Sequence, residues 1–120
     1  MNTARRSVAS TGNANFGYVC GGHDGSNVHS IVDRIDYSND TATATPVGNL
    51  SHFADKCGAA GNQDFGYVGG GYNPAIPGIT SEISRIDYSN DTQQASQKGH
   101  LRSAKQNLTG FSAGDNGLPQ

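Results

Sequence analysis

The stretch Arg34-Ile35-Asp36-Tyr37-Ser38-Asn39-Asp40-Thr41 returns letter for letter as Arg85-Ile86-Asp87-Tyr88-Ser89-Asn90-Asp91-Thr92, fifty-one positions later. Upstream of each copy, Phe16-Gly17-Tyr18-Val19 returns as Phe65-Gly66-Tyr67-Val68, forty-nine positions later. A repeat of about fifty residues has the length of one supersecondary unit, and such a unit cannot bury its apolar face alone. The reading of the whole chain follows from this doubling.

Working outward from the repeat, apolar residues cluster over short runs with turn residues between them, the mark of strands rather than helices. Strands are expected at Ser7 to Gly12, Phe16 to Cys20, Ile31 to Tyr37, Thr41 to Thr45 and Lys56 to Gly61. The order then restarts at Phe65 to Gly69, Ile83 to Tyr88, Thr92 to Ser96 and Asn107 to Ser112. No window carries a 3.6-residue apolar period, so no helix of consequence is expected. The division this implies is one repeat over residues 5–49, a second over 50–100, and in 101–120 the first strand of a further unit plus a polar tail. That last strand duplicates a position already filled by the N-terminal one.

Composition agrees. Leu, Ile, Val and Phe together number 20 of 120 residues, while Gly alone numbers 17. So small a core per residue makes a lone unit marginal and favours burial shared with other copies. A net charge of −2 gives no pull toward nucleic acid or anionic membrane. No apolar run approaches the roughly 18 residues of a membrane-spanning helix. Met1 to Ser10 lacks the apolar stretch of a signal peptide, so an extracellular position would be reached by another route, with a cytoplasmic one as the alternative. Cys20 has Gly69 as its repeat partner, so Cys20 and Cys57 read as buried free thiols rather than a recurring disulfide.

A strand ending in a double glycine, a loop, an apolar strand ending in Asp-Tyr, then a polar strand resembles the kelch repeat. Gly21-Gly22 and Gly70-Gly71 correspond to its double glycine, and Tyr37 and Tyr88 to its tyrosine, with Asp before Tyr rather than after. The kelch tryptophan is missing. The wording of the repeats is further similar to kelch-like repeats of structural and tail-fibre proteins of marine cyanobacterial phages. The resemblance runs from about Ser7 to Phe111. It implies an all-β fold of two four-stranded antiparallel blades of a β-propeller, which needs four to eight blades to close. Two blades per chain would then be completed by other copies, a trimer of six blades being favoured over a dimer or tetramer. It also implies a virion or extracellular particle as the setting.

Most motifs read as parts of the blade. Asp36 to Thr41 and Asp87 to Thr92 are rich in the oxygen ligands that calcium takes, yet lack the twelve-residue loop and its terminal glutamate. Asn and Asp at such spacing, Asp40 and Asp91 among them, make turns, with Thr41 and Thr92 capping them. Arg34 and Asp36 share one strand face, as do Arg85 and Asp87, and are expected in a ladder between units. Ile35 and Tyr37, with Ile86 and Tyr88, take the opposite face. Function is sought where the repeats differ. After the double glycine one loop reads His23-Asp24-Gly25-Ser26-Asn27-Val28-His29; the other, within Gly71 to Thr80, is two residues longer when counted past its double glycine and carries Tyr72, Asn73 and Ile76. These six residues (His23, Asp24, His29, Tyr72, Asn73 and Ile76) are the candidate contact residues. No catalytic constellation, metal site or cofactor motif is read from the chain, and the four Asn-x-Ser/Thr sequons lack a secretory context. The expected role is a non-enzymatic structural or binding module that displays loops to other virion proteins or surface glycans. A glycan-acting or redox propeller enzyme and an intracellular interaction scaffold are the alternatives.

Overall fold

The computed structural model describes residues 3–76 and 78–110. Among them the chain is all-β, built mainly from two four-stranded antiparallel sheets. The first is a meander of β1 (Ala9–Gly12), β2 (Phe16–Cys20), β3 (Val32–Asp36) and β4 (Thr45–Pro46), in that order. The second holds β5 (Gly58–Gly61), β6 (Phe65–Gly69), β9 (Glu82–Asp87) and β10 (Ser96–His100). Between β6 and β9 a small hairpin, β7 (Tyr72–Asn73) with β8 (Gly78–Ile79), occupies the longer of the two variable loops.

The repeated letters make repeated geometry. Tyr18 pairs with Arg34 and Tyr67 with Arg85, so each Tyr-Arg pair shares one face. Asp36 and Asp87 each cap a short 3₁₀ turn, accepting from the backbone N–H and the hydroxyl of Ser38 or Ser89 at 2.7–3.0 Å. These turns run on to residues 41–44 and 92–95, so the strands expected at Thr41 to Thr45 and Thr92 to Ser96 start later, at Thr45 and Ser96. β-Branched Thr suits a strand, but the Asp-capped turn claims those backbone positions first. Of the strand expected at Asn107 to Ser112, residues 107–110 are not strand, and the last two lie outside the described residues.

Glycine at 17 and 66 leaves room for the tyrosine that ends the partner strand. A methyl group there would lie 2.8 Å from Tyr37 Oη or 2.7 Å from Tyr88 Oη. Gly21, Gly22, Gly70 and Gly71 all have positive φ, which other residues adopt at a cost. Each double glycine is wedged between two lead-in segments. Gly22 N–H donates to Ala54 O at 2.7 Å, and Gly71 N–H to Lys105 O at 2.7 Å. Three further positions in register, Ser7, Lys56 and Asn107, take the left-handed conformation with φ of 57°, 61° and 57°. Asn107 thus repeats the backbone conformation of Ser7 and Lys56, even where the side chains have diverged.

The sheets stand side by side, with β1 against β5. The core lies between them. Tyr18, Cys20 and Val32 of the first sheet meet Val68, Ile86 and Tyr88 of the second, with Leu50, Ala54, Cys57 and Ala59 along one edge. Tyr18 and Tyr88 stack at 5.0 Å with planes 9° apart. Aromatic area of this kind supplies much of the burial in a chain poor in aliphatics. Cys20 and Cys57 are buried free thiols, and burial pushes the Cys57 thiol up to about 11. An ion pair invisible in the repeat pattern sits under the first double glycine. Arg5 bonds Asp33 at 2.5 Å and the carbonyls of Gly21 and Ile31 at 2.6 and 3.0 Å, the first two at buried positions and the Ile31 carbonyl half-buried.

Candidate functional site

The residues that follow the two double glycines, His23 and Tyr72, occupy equivalent places but differ in kind. Each is fixed by a pair of backbone hydrogen bonds to its own lead-in: His23 with Arg6 at 2.9 and 3.0 Å, Tyr72 with Asp55 at 2.7 and 3.1 Å. This common anchoring delivers two unlike loops to one place. Between them opens a cleft of about 720 Å³ lined by His23, Asn27, Val28 and His29 on one side, Tyr72, Pro74 and Ala75 on the other, and Phe53. Its size is that of a small-ligand or short-chain subsite rather than a packing defect.

The first loop is held rigid. Asp24 Oδ1 accepts from the N–H groups of Ser26 and Asn27 at 2.8 Å, and Oδ2 bonds His29 Nε2 at 2.9 Å. The His29 contact, with those backbone donors, holds the Asp24 carboxyl well below the usual carboxylate range. His23 Nδ1 accepts from Gly25 N–H at 2.8 Å. Both imidazoles are therefore oriented by their own loop. The Asp24–His29 pair has the look of an orienting dyad, but Ser26 Oγ makes no hydrogen bond to His29, so no activated hydroxyl stands beside it. Among the described residues no group of three His, Cys, Asp or Glu side chains converges to hold a metal ion.

Of the six candidate contact residues, His23, His29 and Tyr72 line the cleft and Asp24 supports it from behind. Asn73 does not line the cleft. It is buried, and its side chain accepts from Ala75 N–H at 2.9 Å to shape the turn. Ile76 is exposed beyond the cleft rim. Phe53, which sequence reading passed over, also lines the cleft and is 44% exposed. The signal was there, since an aromatic residue in a lead-in has Ala104 as its counterpart in the next.

The repeat motif finds its partners across the sheets. Asp91 accepts from Tyr18 Oη at 2.7 Å and from Arg34 Nη1 at 2.9 and 3.1 Å. Arg34 itself lies over the Phe16 ring at 4.9 Å. The expected charge ladder is thus formed by Arg34 with the turn residue Asp91, while Asp36 and Asp87 stay within their own turns. Burial and the Asp91 hydrogen bond push the Tyr18 phenol well above its ordinary value. Compared with protein-family models and with curated proteins, the chain matches none.

Proposed function

We propose that the chain is a non-enzymatic structural and binding module: two kelch-like blades of a β-propeller, completed by further copies of itself and displaying its unequal loops for contact. The observation that carries this reading is the division of labour between the repeats. Identical residues build the sheets and their junction, whereas the two loops that differ meet at a single cleft. The exposed ring of Phe53, with Tyr72 and two oriented imidazoles, offers apolar area next to hydrogen-bonding edges. That combination suits the faces and hydroxyls of a sugar, or a short protein segment. Three chains giving six blades is the favoured ring, and symmetry would then repeat the cleft and raise weak contacts by avidity. The similarity to phage repeats supports a virion or tail-fibre setting, where other virion proteins or surface glycans are the partners.

The test is direct. The full chain is applied to an array of surface glycans, and Tyr72→Ala and Phe53→Ala are compared with it. Retention of a defined glycan subset, weakened about tenfold or more by either substitution with the circular dichroism unchanged, is the expected result; tenfold corresponds to about 1.4 kcal/mol. Binding indifferent to both substitutions, or no binding to any glycan or purified cell-envelope protein, would overturn the assignment.

A further inference from the structure

The junction between the two sheets is directional. The first sheet contributes a donor face, with Tyr18, Val32 and Arg34 presented toward the second. The second contributes an acceptor face, with Val68, Ile86, Tyr88 and Asp91. Because both sheets carry the same residues, each also bears the face that the other uses. The second sheet has a donor face of its own in Tyr67, Ile83 and Arg85. The first has an acceptor face in Val19, Ile35, Tyr37 and Asp40.

Both of these outer faces are built, and among the described residues neither is covered as its counterpart at the internal junction is. Tyr37 is 51% exposed where its counterpart Tyr88 is 8% exposed. Asp40 is exposed where Asp91 is buried. Arg85 is held over the Phe65 ring at 4.3 Å, as Arg34 is over Phe16, yet makes no ion pair with a described residue. Beside it lies an apolar groove of about 250 Å³ lined by Tyr67, Ile83, Leu101 and Leu108. The corresponding hollow of the first sheet is filled by the second. Backbone repeats the theme: Gly48 N–H donates to Asp91 O at 2.8 Å and packs against Gln93, whereas a methyl on Gly99, its counterpart, would meet nothing within 4 Å.

We infer that the donor face of the second sheet binds the acceptor face of the first sheet in another copy of this chain. Arg85 and the Tyr67 hydroxyl then meet the partner copy's Asp40, the Tyr67 ring stacks on Tyr37, and Val19 and Ile35 enter the groove. The occupant is fixed by complementarity: the internal junction shows that these residue types in this arrangement bind one another, and a carboxylate is the group Arg85 lacks. Such an interface is heterologous, head to tail, and joins copies in one sense only. Residues 107–110 of one copy and β1 of the next are counterparts beside β5, so only one of the two occupies that place once the copies join. The inference deepens the reading of copies completing a ring and supplies its chemistry.

Charge exchange tests it. Asp40→Arg alone and Arg85→Asp alone each set like charges across the junction, and both sites lie away from the internal core. In native mass spectrometry of the full chain, the unsubstituted protein is expected as a multiple of the 12.5 kDa chain and each variant alone as a 12.5 kDa species. Placing both exchanges in one chain, Asp40→Arg with Arg85→Asp, pairs opposite charges at every junction whatever the number of copies and is expected to restore the multiple, which also shows both substitutions to be compatible with folding. Single variants that keep the parental mass, a doubly exchanged chain that stays at single-chain mass, or a parental protein found only as a folded monomer would each overturn the inference. A monomer that still binds glycans through Tyr72 would leave the loop-display reading standing, and an assembled protein that binds nothing would do the reverse.

Discussion

Asp91 and Asp40 are the same residue in the same eight-residue motif, yet their surroundings give them opposite weight. Asp91 is 6% exposed and takes both Tyr18 and Arg34 from the facing sheet. Replacing it with alanine leaves a buried phenol and a guanidinium without their acceptor, which costs about 2–3 kcal/mol. Asp91→Ala is therefore expected to lower the urea midpoint clearly in the dilute chain, and Asp40→Ala to leave it nearly unchanged. Gly66 and Gly17 make a second such pair. Tyr88 cannot yield to an added methyl at Gly66, because it is stacked on Tyr18 and hydrogen-bonded to Thr11 at 2.8 Å. Gly66→Ala should cost about 1–3 kcal/mol by overpacking, while the exposed Tyr37 can swing aside from Gly17→Ala at smaller cost. Urea titration of the four variants below the concentration of association measures both contrasts.

At the scale of elements, the lead-in from Val47 to Cys57 fastens the two sheets and carries the groups that answer to pH. His52 is buried, with Nδ1 3.0 Å from Ser84 Oγ and 3.5 Å from the Glu82 carboxylate. Burial holds its pKa below 6.5, more than Glu82 raises it. A group with a lowered folded pKa contributes stability above its unfolded value and loses it on acidification, so stability should fall as pH drops below about 6.5. Cys57 has the opposite sign: its pKa rises from 9.0 to about 11, so its contribution is complete below pH 9 and is lost as pH climbs toward 11. Thermal melts from pH 5 to 11, with His52→Gln and Cys57→Ala as controls, check both limbs. The strands around Phe16, Ile31, Phe65 and Ile83 were legible in the sequence because apolar alternation and glycine turns bound them. The starts of β4 and β10 were not, since Thr41 and Thr92 have strand propensity but stand inside turns set by Asp36 and Asp87. The β7–β8 hairpin is two residues a side, too short for any period to show. In the cleft, His23, His29 and Tyr72 were found by asking where the repeats differ. Asn73 lies apart from them: a polar residue in a variable loop reads as a contact, whereas its Oδ1 accepts from Ala75 N–H within the turn.

Across the whole molecule, a two-sheet chain presents at one end the counterpart of what it lacks at the other. The internal junction draws on both copies of the eight-residue motif, with Arg34 of one as donor and Asp91 of the other as acceptor, and the proposed junction between chains would use the remaining halves. It also separates roles in space, since the junction residues lie along the sheets and the cleft lies among the loops. The small aliphatic content fits the same proposal, in which burial that one chain does not reach alone would be shared with neighbouring copies. The most direct measurement is the mass of the full chain in solution by sedimentation equilibrium over a wide concentration range. The account predicts an assembly of whole chains, with the trimer of three 12.5 kDa chains favoured. A well-folded species that remains at 12.5 kDa at every concentration would contradict it.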